Sequence, residues 1–147
     1  MRWLFASPAP IDHARVVEAI RAAEAGTSGE IRVVIARHRT RHPIVSARKH
    51  FVRLGMGRTP EHNGVLIFVA PRSHNFAVVG DKGIHGKAGD NHWNTVTEAM
   101  RARFVKGDFT GGIVAGVACA GRELARHFPR QPGDRPNLLP DKVEEVE

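Results

Sequence analysis

A chain of 147 residues, 41% of them hydrophobic, can bury one ordinary core and is too short for two independent domains. Its single cysteine, Cys119, excludes an intramolecular disulfide and a cysteine-cluster metal site, and its alanine- and glycine-rich surroundings suit a small buried thiol. The formal net charge of +7 is uneven: residues 31–60 contain Arg32, Arg37, Arg39, Arg41, Arg48, Lys49, Arg53 and Arg58 and no acidic residue. That segment carries a positive field toward polyanions or an acidic partner, and it also keeps a small domain soluble.

Residues 1–10 form an N-terminal extension. Its apolar start, Trp3-Leu4-Phe5-Ala6, is broken by Ser7 and Pro8 before reaching the ~7–15 residues of a signal core, so a cytoplasmic location is expected. Asp12 suits the N-cap of a first helix, with Val16, Ile20 and Ala23 on one face and Gly26 at its end. Ile31, Val33, Val34 and Ile35 are a β-branched run that predicts a strand. Pro43 suits the first turn of a second helix, with Ile44, Ala47, Phe51 and Leu54 as its stripe.

The continuous apolarity of residues 65–70 predicts a central strand covered on both faces. The short link at 71–74 permits only an antiparallel return over 75–79. A glycine-rich loop then leads to Asp90, a candidate cap for a third helix bearing Trp93, Val96, Met100 and Phe104. A fourth helix is predicted from about Thr110 to His127. The uncharged run at 109–121 is shorter than the roughly 18 residues of a membrane span, so it reads as a core helix. Residues 130–147, with Pro132, Pro136 and Pro140 and an acidic end, are expected to form a mobile tail that docks transiently on the Arg-rich segment. This order of elements predicts an α/β fold, a small mixed β-sheet sandwiched between helices, over residues 11–129.

The residues that carry a family resemblance are Thr27-Ser28-Gly29-Glu30-Ile31-Arg32-Val33, Leu54-Gly55-Met56, Asn63-Gly64-Val65-Leu66-Ile67 and Gly80-Asp81-Lys82-Gly83-Ile84. Trp93, Met100, Phe104, Gly107, Phe109, Gly112-Ile113, Gly116, Gly121 and His127-Phe128-Pro129 continue it in order. Together they resemble the TPM domain family, named after a thylakoid lumen phosphatase-like protein, a photosystem II repair protein and a nematode receptor modulator. The resemblance implies a mixed sheet between helices. Its members are variously linked to acid phosphatase activity, calcium binding, photosystem maintenance and receptor modulation, so it leaves the biochemical role open. Members are often exported or membrane-tethered, features not visible in this sequence.

Asp81 and Asp90, with His85 and His92, are the best local set of ligands for a divalent cation. Calcium or magnesium would favour the carboxylates and loop carbonyls, and zinc the imidazoles. Glu30 and Asp108 join the set only if the fold brings them near. No EF-hand or His-Glu-x-x-His spacing is present. Plainer readings stand beside these: Asp90 as a helix cap, Asp81 as a turn residue accepting amides of Gly83 or Ile84, and the histidines as solvated loop residues.

For phosphate-ester hydrolysis, Asp81 would hold a metal that activates water, Lys82 would neutralise phosphate and His85 would donate the proton. There is no Walker loop, Cys-x5-Arg or Gly-x-Ser-x-Gly. The first reading is a binding or regulatory module, partnered by an unidentified protein or membrane-associated complex, with a candidate cation site in the Asp81 loop. A metal-assisted phosphatase is the alternative. Weak polyanion binding through residues 32–58 is the second alternative, and with aromatic residues at only 6% specific nucleic-acid recognition is disfavoured.

Overall fold

The computed structural model describes residues 10–89, 93–133 and 143–146. Helix α1 (His13–Glu24) starts where predicted, because the Asp12 carboxylate accepts the Arg15 amide at 3.1 Å. Its Val16 and Ile20 are fully buried. Strand β1 (Glu30–Ala36) and strand β2 (Gly64–Ala70) are parallel and buried at every residue, β2 as a continuous apolar run and β1 with Glu30 and Arg32 buried as an ion pair. Between them, α2 (Pro43–Arg53) begins with Pro43 and turns only Ala47 fully inward.

A 3-10 turn at Pro71–Ser73 and a left-handed His74 reverse the chain into strand β3 (Asn75–Gly80), antiparallel to β2 as the short link demands. Helices α3 (Lys82–Ala88), α4 (Asn94–Phe104) and α5 (Phe109–His127) follow, and a last strand, β4 (Val143–Val146), pairs parallel with β1. The sheet order is β3-β2-β1-β4. One face, with Val33, Ile35, Val65, Ile67 and Val69, packs with α1, α4 and α5 residues; the other, with Val34, Leu66 and Phe68, packs with Ala47 of α2. The result is the expected three-layer α/β/α arrangement.

Helix α5 fits between α1 and α4 because it presents hydrogen where neighbours press closest. A Cβ at Gly116 would lie 2.5 Å from Met100 Cγ, and one at Gly121 would lie 2.6 Å from Ala23 Cβ. The Cys119 thiol is buried, 3% exposed, within the same core. Among the described residues no helix is long and apolar enough to cross a membrane.

Two segments differ from the sequence expectations. The stretch expected to be a glycine-rich loop contains α3, because Asp81 supplies an N-cap and Ile84 an apolar anchor, 2% exposed. Residues 143–146, expected in the mobile tail, form the edge strand β4. Val-Glu-Glu-Val lacks the period-two apolarity of a strand, so the pattern looks like tail. It becomes strand because bases wait on both sides of the sheet: Arg53 of α2 pairs with Glu144 at 2.8 Å, and Arg37 with Glu145 at 3.2 Å. His13 of α1 lies 3.6 Å from Glu145.

The β4 contacts should be sensitive to acid. The Arg53 hydrogen bond holds the Glu144 carboxyl below its ordinary 4.5, and burial, helped by the Arg53 charge, holds the His50 imidazole below its ordinary 6.5. Glu144 faces Arg53 and His50 from α2 and Arg32 from β1. Both groups bind fewer protons folded than unfolded. Their stabilisation is therefore complete above about pH 6.5 and fades as the pH falls, first across the His50 range and then through the folded Glu144 range below 4.5. In an NMR pH titration the amides of β4 should lose protection below pH 4.5 while those of β2 keep theirs. Added salt should bring the loss to higher pH.

Candidate functional site

The strand register gathers polar residues at one end of the sheet. Glu30 lies opposite Gly64, and Val65 opposite Gly80, so Gly64 is next to Asp81, whose amide donates to the Gly64 carbonyl at 2.9 Å. Glu30, Gly64 and Asp81 thus share a row on the α2 face, two strand spacings or roughly 10 Å across. Gly64 leaves the middle of that row without a side chain.

Asp81 caps α3 by accepting the Lys82 amide on Oδ1 at 2.8 Å. A turn residue accepting the amide of Gly83 or Ile84 was expected here; the position is instead a helix cap, and the donor is Lys82. Its other oxygen is different: Oδ2 is shielded from solvent and has no hydrogen-bond partner among the described residues. The imidazole beside it is that of His62, with Nδ1 3.5 Å from Oδ2. Lys82 and His85 are exposed on α3. Asp81, Lys82 and His85 thus lie together at the start of α3, with Lys82 and His85 open to solvent.

Glu30 is committed elsewhere. Its Oε1 accepts from Arg32 Nε at 3.3 Å, and both side chains are 9% exposed. Asp108 caps α5 through the Gly111 amide at 2.9 Å. Asp90 and His92 lie outside the described residues, and the N-cap position of α4 belongs to Trp93. Among the described residues no group of three or more His, Cys, Asp or Glu side chains is placed to hold a metal ion.

A neighbouring network was not foreseen from the sequence. Ser28 Oγ donates to Glu61 Oε2 at 2.5 Å, and Asn63 Nδ2 donates to Ser28 Oγ at 3.1 Å. Thr27 Oγ1 donates to the Phe128 carbonyl at 2.5 Å, and Glu24 Oε2 accepts the Ile31 amide at 2.7 Å. The Thr27-Ser28-Gly29 turn is thus a clasp that ties β1 to α1, to the end of α5 and to the turn before β2. The only sequence signal was the pair of polar turns, Thr27-Ser28 and Glu61-His62-Asn63, each placed just before a buried strand.

A mixed sheet between helices, with a polar end formed by the starts of β1 and β2 and the end of β3, defines the class of this domain. The model of the TPM domain family matches residues 9–123, and the chain belongs to that family. It is similar to the BA42 protein of the psychrophilic bacterium Bizionia argentinensis, at 36% identity and a TM-score of 0.83, over 92% of this chain and 95% of that one. It shares its fold with the N-terminal domain of the cg2496 protein of Corynebacterium glutamicum, at 16% identity and a TM-score of 0.62, over 84% and 88% of the two chains. The search of curated proteins found no match.

Proposed function

We propose that this TPM domain is a binding or regulatory module whose ligand contacts Asp81. The observation that supports this reading is the Oδ2 oxygen, shielded from water and without a donor among the described residues. Such an oxygen costs stability when empty and is repaid when a cation or a hydrogen-bond donor reaches it. A divalent cation is the candidate ligand. Because the described residues do not complete a coordination sphere, the expected affinity is weak and the remaining ligands would be carbonyls and water.

Asp81→Asn tests this directly. The amide keeps the cap on the Lys82 amide and can donate to His62 Nδ1, so it should raise the stability of the metal-free protein by about 1 kcal/mol. Calcium or magnesium should raise the melting temperature of the wild type and leave the variant unmoved. A variant less stable than wild type, with equal cation responses in both, defeats the reading. Hydrolysis of a generic phosphomonoester by metal-loaded protein, lost in Asp81→Asn, would replace it with the phosphatase.

A further inference from the structure

Strand β4 is a four-residue segment that lies beyond the part of the chain matched by the family model, residues 9–123. Within the described residues it covers the β1 edge that the matched region leaves open, so its contacts show what that edge accepts. Its register is defined: Val143, Glu144, Glu145 and Val146 lie opposite Val33, Val34, Ile35 and Ala36, and the Arg37 amide donates to the Val146 carbonyl at 2.8 Å. Each side chain has its own receptor. Val143 packs on the core under α1 and α5, and Val146 on the core under α2. Glu144 meets the Arg53 guanidinium through two hydrogen bonds, at 2.8 and 3.3 Å, and Glu145 meets Arg37 and His13 on the opposite side.

Main-chain pairing at a sheet edge with alternating side-chain receptors is the geometry of peptide recognition by strand addition. We propose that the β1 edge, with Arg37 and His13 on one side and Arg53 on the other, is a binding site for an extended acidic segment of another protein. Strand β4 occupies it in cis. The ligand chemistry is two consecutive carboxylates flanked by β-branched residues, entering parallel to β1. The acid-free run at 31–60 supplies the complementary charge. Because the cis strand competes at high effective concentration, the site is open only when β4 is displaced. This inference does not depend on the Asp81 reading, since Asp81 lies beyond the far side of β2.

The test uses the full chain carrying Glu144→Lys and Glu145→Lys, which repels its own strand from Arg53 and Arg37. A labelled synthetic peptide of residues 141–147 should bind this variant at least tenfold tighter than it binds wild type. Amide shifts should fall on residues 33–37, and added salt should weaken binding. A peptide with both glutamates changed to lysine should not bind. Equal binding of the two peptides, shifts elsewhere, or a variant that fails to fold would each overturn the proposal, the last because an integral strand cannot be vacated. Dimerisation of wild type by exchange of β4 would assign the site to a second copy and overturn the commitment to another protein.

Discussion

Gly83→Ala should lower the stability of the domain by about 3 kcal/mol or more and break the seating of the Asp81 loop. The start of α3 is stitched onto the turn before β2 and onto the first residue of β2 by two backbone bonds, Gly83 N–H to the His62 carbonyl and Asp81 N–H to the Gly64 carbonyl, each 2.9 Å. A Cβ at Gly83 would lie 2.5 Å from the His62 carbonyl oxygen and closer still to that of Glu61. Both obstacles are backbone, so no side chain can rotate away. Either the turn moves, separating His62 from Asp81, or α3 moves and withdraws the buried Ile84.

The contrast is Gly86→Ala in the same helix, where nothing lies within 4 Å of the added carbon. There alanine should be neutral or stabilise by about 0.5–1 kcal/mol through helix propensity. Chemical denaturation of the two variants decides the matter. Equal midpoints for both would mean that the close approach at Gly83 carries no weight.

The layers of the fold were legible because their determinants are local. Asp12 sits four residues ahead of Val16, the first of a 3.6-period stripe, the runs at 31–35 and 65–70 are rich in β-branched and apolar residues, and the link at 71–74 is too short for a crossover. What was not legible depends on contacts distant in sequence. Val-Glu-Glu-Val becomes a strand through pairing with β1, packing of Val143 and Val146 on the two cores, and the meeting of its carboxylates with Arg53, Arg37 and His13. Likewise, Ser28 and Glu61 share a proton donor and acceptor across 33 positions that no local pattern relates. The candidate site is legible in the sequence only as a neighbourhood. Asp81 was singled out and does carry an unusual oxygen, but His62, the base beside it, hides in a turn that the strand signal of Asn63-Gly64 overshadows.

Glu30 is buried at the start of β1 beside Arg32. Glu30 was to join the ligand set around Asp81 only if the fold brought it near, and in the structure its carboxylate accepts from Arg32, two residues away on the same face of β1. Arg32→Ala is therefore expected to destabilise the domain by about 3 kcal/mol, because it removes the Arg32 charge from beside the buried Glu30 carboxylate. Replacing both residues, Glu30→Met with Arg32→Met, should recover most of that loss, since two apolar side chains of similar volume need no mutual compensation. Urea denaturation of the three proteins gives the comparison. Calcium adds the discriminating arm: if Arg32 is the true partner, millimolar calcium should leave Arg32→Ala as unstable as before. Restoration of the variant by calcium would show that the Glu30 carboxylate can recruit a cation, and would return Glu30 to the ligand set around Asp81.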